Sequence, residues 1–276
     1  NHADMLVGYL RGFKTTSADG ISMPTQFSSD VLVVGGGLAG IVTALELVEA
    51  GKRVVVIDRD TPERFGGLAR WAFGGMALVG TPLQKAMKIP DSPEIALNDW
   101  LAFAELDDSD TWPLAWAKYY VEHSRADVHD WLKTRGVRFM PAVNWVERGM
   151  QGNGNSLPRY HVVWGTSLDM TRRLIAALQA AGSDGRLTLL HRHRVIALEQ
   201  TAGQVSGARA IDETTATEIL VNAPVVVLAS GGINGSQEEC RRNWPADRHL
   251  PATFLNGAHP FADGKLHRWV AEHLDG

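Results

Sequence analysis

The chain has a single cysteine, Cys240, among 276 residues. An internal disulfide and a metal cluster built on several thiols are both excluded, and a reducing, cytoplasmic setting is expected. No window holds eighteen consecutive apolar residues, so no membrane-spanning helix is expected. The opening NHADMLVGYLRGFKTTSADGIS lacks the basic start and apolar run of a secretory signal. Positive charge is not in excess either: 27 Lys and Arg against 31 Asp and Glu leave a net charge of −4. Such a balance offers no general attraction to nucleic acid or to an anionic membrane. The G-x-S-x-G elbow, the Walker loop and H-E-x-x-H are all missing. What remains is an ordinary folded composition, 45% hydrophobic and 21% charged, rich enough in apolar residues to build a sizeable core.

Residues 1 to 22 carry no periodicity that continues past Met23 and read as an upstream appendage, with Met23 to Asp30 as a more natural start. The closing HRWVAEHLDG forms an amphipathic helix without the look of a finished domain.

The informative stretch begins at Val31-Leu32-Val33-Val34, a short β-branched run suited to a strand buried on both faces. It leads into Gly35-Gly36-Gly37-Leu38-Ala39-Gly40, a G-x-G-x-x-G pattern, and then into helical spacing from Ile41 to Ala50, stopped by Gly51. Gly35 permits the tight turn, Gly37 lets the backbone approach a pyrophosphate, and Gly40 lets the helix pack on the strand. The helix start presents unpaired N–H groups to the anion. Arg53 to Ile57 supplies the next strand, and Asp58 ends it where a carboxylate can accept from ribose hydroxyls. Arg59 and Arg64 could grip a 2′-phosphate, but Asp58 would repel one, so NADP is disfavoured at this loop. FAD and NAD both remain open here. The segment beyond the second strand favours FAD: Phe65 to Met76 sets two glycine pairs among apolar and aromatic residues, a composition for backbone lying against a flat ring system.

From about 77 to 165 the chain reads as helices and loops, with apolar spacing over Ser92 to Glu105 and Trp112 to Arg135 and a Gly/Asn-rich break at Gly149 to Ser156. Leu168 to Ala181 is an amphipathic helix, and Arg186 to Leu190 another parallel strand. Three alternating segments, Arg194 to Glu199, Gln204 to Ile211 and Glu218 to Val221, suggest a β-meander. Pro224 to Leu228 then runs into Ala229-Ser230-Gly231-Gly232, a second glycine-bearing strand end. The expected class is α/β, a Rossmann-like three-layer fold with a β-meander.

The ordered motifs DVLVVGGGLAG (30–40), VVVIDRD (54–60), FGGLARWAFGG (65–75), RYHVVWGTS (159–167), RVIALE with GQVSGARA, and VVVLASGGINGS (225–236) resemble the flavoprotein family of fumarate reductases, succinate dehydrogenase flavoprotein subunits and 3-ketosteroid dehydrogenases. The resemblance covers about residues 28 to 245. It implies FAD as cofactor and an FAD domain interrupted by a partly helical cap: an appendage at 1–28, FAD-binding parts at 29–76 and 166–245, the insert at 77–165, and the start of a further segment at 246–276. It also implies cofactor-binding positions. Gly35, Gly37, Leu38, Ala39 and Gly40 would line the pyrophosphate and Asp58 the adenosine ribose, with Arg59 also among the cofactor-binding positions. Gly66, Gly67 and Ala69 would run along the flavin, Val195 would meet the adenine through its backbone, and Ala229, Ser230 and Gly231 would close over the cofactor. Family members are much longer, so this chain resembles an N-terminal portion, with a missing C-terminal half or an oligomeric partner to complete it.

The resemblance further implies a dehydrogenase acting on CH–CH groups of an apolar carbonyl compound such as a steroid-like ketone, with an unidentified electron acceptor; the alternative is an FAD-binding remnant without turnover. No residue is assigned the catalytic acid or base. Tyr119, Tyr120, Arg159, Tyr160 and His161 are candidates that read more readily as packed residues. His191 and His193 would share a strand face, but a solvent-facing edge is the better account than a metal pair. Cys240 reads as structural.

Overall fold

A computed structural model describes residues 24–145 and 154–274. The expected appendage at 1–22 and residues 149–153 of the Gly/Asn-rich break lie outside the described residues. In chain order, strands Thr25–Ser28 (β1) and Val31–Val34 (β2) precede helix Leu38–Glu49 (α1) and strand Val54–Ile57 (β3). A 3₁₀ turn at Gly67–Trp71 leads to Gly75–Ala77 (β4), then to the helices Pro82–Ala86 (α2), Pro93–Ala104 (α3), Thr111–His123 (α4) and Trp131–Thr134 (α5). Tyr160–Val162 (β5) and Thr166–Ala181 (α6) come next. Leu187–Leu190 (β6), His193–Thr201 (β7), Gln204–Asp212 (β8), Glu218–Asn222 (β9) and Val225–Leu228 (β10) complete the strands. Helices Gln237–Arg242 (α7) and Lys265–His273 (α8) close the described chain.

The chain divides into two compact units, one of residues up to Leu68 together with those from Leu178 onward, the other Ala69–Ala177. The interrupted unit holds a parallel sheet in the order β10-β2-β3-β6, with Val31 opposite Val54 and Val225, and Val54 opposite Leu187. All eight residues of β2 and β3 are buried, which is why both read as continuous apolar runs rather than alternating ones. Their side chains serve two layers. Leu32, Val34, Val55 and Ile57 pack against Val195, Leu198, Ala208, Ala210, Ile219 and Val221 of the second sheet. Val33 points the other way, toward α1, whose buried face is Gly40, Ile41, Ala44, Leu45 and Val48. Helix, parallel sheet and meander therefore form the three layers of a Rossmann-like α/β unit.

The second sheet has the order β1-β9-β8-β7. β7, β8 and β9 run antiparallel as the expected meander, and β1 adds to β9 in parallel, Thr25 opposite Ile219. Residues 25–28, placed within the appendage on sequence grounds, are thus a strand of this sheet; their partner is almost two hundred positions away, so no local pattern announces the pairing.

The second unit begins at Ala69 and ends at Ala177, wider than the expected insert of 77–165. Its helices match the apolar spacing, with Ser92 capping α3 through the Ile95 amide and Thr81 and Gln84 forming a reciprocal capping box on α2. The run expected from Trp112 to Arg135 is one helical path whose middle, Ser124–Asp130, widens to π geometry before α5.

The turn from β2 into α1 is closely packed. A Cβ at Gly40 would stand 1.8 Å from the Gly35 carbonyl oxygen, backbone that no rotamer change can move. Gly40→Ala is expected to cost roughly 1–3 kcal/mol through overpacking, read as a lower thermal midpoint by circular dichroism; an unchanged midpoint would contradict this close approach.

Candidate functional site

At the carboxyl edge of the parallel sheet the strand ends remain tied together beyond the strands. Gly35 N donates to Ile57 O at 2.8 Å, Ala229 N to Val34 O at 2.8 Å, and Asp58 N to Leu190 O at 2.9 Å. Above them lies a cavity of about 290 Å³ whose wall includes Val34, Gly35, Gly37, Asp58, Val195 and Ser230. It sits at the low end of the roughly 300–1,000 Å³ common for ligand pockets. This position, outside the carboxyl ends of parallel strands, is where open α/β sheets bind nucleotides.

The N-terminus of α1 opens onto the same place. Gly37 is its N-cap, no side chain caps it, and its hydrogen bonds begin only at Ile41 N, which donates to Gly37 O at 2.9 Å. The first-turn amides are therefore available to an anion, and the first turn carries no acidic side chain to repel one. A Cβ at Gly37 would meet no atom within 4 Å, so this glycine keeps a cradle empty rather than filling a packed contact. Gly35, at φ +106°, has the Ala229 carbonyl oxygen 2.3 Å from where its Cβ would be, and only glycine fits there. An open cradle under free helix amides fits a pyrophosphate.

Asp58 ends β3 with its carboxylate braced by the loop it serves: Oδ2 accepts from Gly36 N at 2.6 Å and Oδ1 from Asp60 N at 2.8 Å. Arg59 lines the cavity, but its guanidinium is engaged elsewhere. It donates to Glu213 from Nε at 3.2 Å and Nη2 at 2.9 Å, and to Asp263 from Nη1 at 3.0 Å. Burial opposes charge on Glu213, yet the hydrogen bond and charge of Arg59, then those of Arg194, hold its carboxyl below the usual range. With two carboxylates on it, Arg59 is poorly placed to receive a 2′-phosphate.

Of the sequence-predicted positions, Gly35, Gly37, Asp58, Arg59, Gly67, Val195, Ala229, Ser230 and Gly231 line the cavity. Gly40 acts behind it, in packing. Leu38, Ala39 and Gly66 are not in the lining, and Ala69 belongs to the second unit. The glycine pairs expected against a flat ring divide in their roles. Gly67 packs on Gly37, whereas a Cβ at Gly74 would meet the Ser167 backbone and one at Gly75 the Tyr160 ring.

Sequence reasoning missed the far wall. Ala258, His259, Phe261, Asp263 and Lys265 line the cavity, although 246–276 was expected to start a further segment. The local signal was slight, an Ala-Asp-Gly leading into α8. His193 also lines the cavity. It does not share a strand face with His191: β6 ends at Leu190, the chain turns through Arg192 at φ +61°, and β7 begins at His193.

The acid/base candidates all lie in the second unit, and the two most polar are locked in its interior. Arg159 and Asp91 have side chains 3% and 0% exposed and are joined by Arg159 Nη2 donating to Asp91 Oδ1 at 2.8 Å, with Nη1 donating to Asp99 at 2.6 Å. His161 is fully buried between Thr81 Oγ1 and the Arg159 carbonyl, each 2.7 Å away. Burial pushes its pKa down, against the opposing pull of that carbonyl, so the neutral ring is favoured. Tyr120 donates its hydroxyl to Ala77 O at 2.9 Å, and burial raises its pKa. These are structural placements. Tyr119 is half-exposed and stacks on His123.

A dinucleotide-binding α/β protein is the class that this edge cavity and helix start define. Residues 30–271 match the family model described as FAD binding domain, and the chain belongs to that family. A KsdD-like steroid dehydrogenase of Mycolicibacterium smegmatis is 38% identical over 256 residues, covering 86% of this chain and 46% of the relative. A fumarate reductase (cytochrome) of Shewanella frigidimarina is 29% identical over 231 residues, covering 83% of this chain and 38% of that protein. Among solved structures, the 3-ketosteroid-Δ4-(5α)-dehydrogenase of Rhodococcus jostii RHA1 superposes with a TM-score of 0.72 at 24% identity, over 94% of this chain and 56% of that one. A flavocytochrome c3 fumarate reductase in its open conformation gives 0.68 at 26%, over 89% and 40%. The chain thus spans about half the length of the curated steroid-dehydrogenase relatives it matches. The cofactor of this family is FAD, and the cradle at Gly37 suits its pyrophosphate.

Two substitutions separate cofactor holding from folding. Gly37→Ala places a methyl in open space, so the flavin-free midpoint is expected to stay put while FAD affinity falls at least tenfold by fluorescence titration; equal affinity would contradict the cradle. Arg159→Leu leaves Asp91 buried without its cation, and should cost about 3–5 kcal/mol in the unfolding of the second unit. The pH signature comes from Asp99. Burial works against its charge, but hydrogen bonds from Ser156 and Arg159 win and depress its pKa. Its contribution is therefore present above the unfolded carboxyl range and lost as pH falls through the lower folded pKa. Thermal melts of the parent should weaken at acid pH, and those of Arg159→Leu less so; parallel acid limbs would contradict the pairing.

Proposed function

We propose that the chain is the FAD-holding part of a flavin-dependent dehydrogenase that acts on a CH–CH bond beside the carbonyl of an apolar, steroid-like compound. The observation that carries this reading is the likeness to KsdD-like steroid dehydrogenases across 86% of the chain, together with a cofactor cradle intact in its residues. Bound flavin would supply the two-electron redox chemistry. The chain's own residues would hold the pyrophosphate at the start of α1, orient the adenosine half with Asp58 and the Val195 backbone, and shield the cofactor behind Ala229, Ser230 and Gly231. Leu38, Ala39, Gly40, Gly66 and Gly67 belong to the same proposed cofactor environment. The substrate would be a small molecule, the electron acceptor is unassigned, and the setting would be cytoplasmic, as a chain with one cysteine suggests.

A second reading is a portion that binds FAD without turnover. It is favoured by the engagement of Arg159, His161 and Tyr120 within the second unit, which leaves none of them as a free acid or base. A longer chain or a partner would then complete the enzyme.

Purified protein, reconstituted with FAD, is expected to show bound-flavin absorbance and to reduce an artificial dye when given a 3-ketosteroid. Flavin without dye reduction would favour the second reading. A colourless preparation that cannot be reconstituted would sink both.

A further inference from the structure

The middle glycine of the phosphate loop is constrained differently from its neighbours. Gly35 sits at positive φ and Gly37 faces open space, but Gly36 does neither. A Cβ at Gly36 would stand 1.9 Å from Phe65 Cε2, and its three nearest atoms all belong to that ring. Glycine is therefore demanded at 36 by one side chain and not by a left-handed backbone. Phe65 is 3% exposed and meets the His191 ring edge-on, with centroids 5.0 Å apart and planes at 88°. A ring buried this deeply cannot swing clear without opening a hole behind it. Neither Phe65 nor Gly36 is in the cavity lining. Two residues further on, Gly67 packs on Gly37, so the segment after β3 lies along the loop at two points.

The packing at Gly36 fixes the direction of one amide. Gly36 N donates to Asp58 Oδ2 at 2.6 Å and Asp60 N to Oδ1 at 2.8 Å, so backbone holds both carboxylate oxygens. A carboxylate offers about four acceptor sites, which leaves roughly two for ribose hydroxyls. We propose that Phe65 is a positioning residue: its ring, lodged in the space that Gly36 leaves, keeps the Gly36 amide on Asp58 and so aims that carboxylate at the adenosine ribose without touching the cofactor. The proposal rests on the cavity being the FAD site and on Asp58 meeting the ribose. A shorter side chain at 65 would let residue 36 shift, and Asp58 would lose one of its two fixed donors. The amides at the start of α1 would stay in place, so ribose recognition should suffer more than pyrophosphate binding.

The test uses two ligands that differ only at the ribose, ADP and 2′-deoxy-ADP. Both are titrated by calorimetry against the flavin-free parent, Phe65→Val, Gly36→Ala and Gly36→Ala/Phe65→Val. A hydrogen bond to a charged acceptor should make the parent prefer ADP by about tenfold, and Phe65→Val should lose most of that preference through weaker ADP binding. Its affinity for 2′-deoxy-ADP should hardly change. Gly36→Ala should bind both ligands poorly, and adding Phe65→Val should restore binding, because the methyl takes room that the ring gives up. Equal weakening of both ligands in Phe65→Val would mean a general loosening, and a double variant no better than Gly36→Ala would mean that the ring is not what demands glycine. Either result overturns the proposal, as does a parent that binds both ligands equally. Hydrogen exchange of the Gly36 amide in the ligand-free chain supplies an independent readout: it should quicken several-fold in Phe65→Val, and unchanged exchange would contradict the proposal. If the parent binds neither nucleotide, the cofactor reading fails, and the exchange result still decides whether Phe65 holds that amide on Asp58.

Discussion

Everything at the candidate site depends on how closely the start of α1 is drawn back onto the end of β2. Gly40 has no Cβ, so its helix turn settles against the Gly35 carbonyl, and Gly35 itself passes beneath the Ala229 carbonyl. These two approaches aim the first turn of α1 along the sheet edge with its amides free. The rest of the interrupted unit keeps that geometry rigid. β2 is flanked by β3 and β10 in matched register, its side chains fill both neighbouring layers, and the Asp58 carboxylate reaches back to the Gly36 amide. An anion meeting such a loop gains preorganised donors, and little backbone rearrangement is needed to bind it.

The two units are stabilised in different ways. In the interrupted unit, two sheets meet over an apolar layer from Leu32 and Ile57 to Ile219 and Val221. In the other, the small apolar cluster of Val79, Ala96 and Val121 stands beside a buried polar system of Thr81, Gln84, Asp91, Arg159 and His161. Buried polar systems of this kind are costly when one member is lost, because the remaining groups are left unpaired. This explains why Arg159 and His161, whose residue types invite a catalytic reading, are better understood as holding β4, β5 and α2 together.

What could be read from the sequence was what is local. The apolar runs of β2, β3 and β10, the glycine turn, and the turn-separated meander each carry their signal in residues adjacent along the chain, and each is present in the structure. Features that depend on distant partners were not legible. β1 has only four residues, mostly exposed, and exists because Glu218–Asn222 offers an edge. The segment at 258–264 is part of the cavity wall and contacts Arg59 and Asp60, some two hundred positions earlier. Of the glycines at 74 and 75, composition could not tell that the first packs on the Ser167 backbone and the second on the Tyr160 ring. Likewise, the spacing of His191 and His193 suggested one strand face until the turn at Arg192 separated them.

The central claim is that a pyrophosphate rests on the free amides at the start of α1. Backbone amide chemical shifts followed during titration with FAD, and again with ADP as competitor, test it most directly. The account predicts that the amides of Gly37 to Gly40 move most and saturate at one equivalent, and that ADP shifts the same group. Binding that leaves those four amides unmoved while others respond would contradict it.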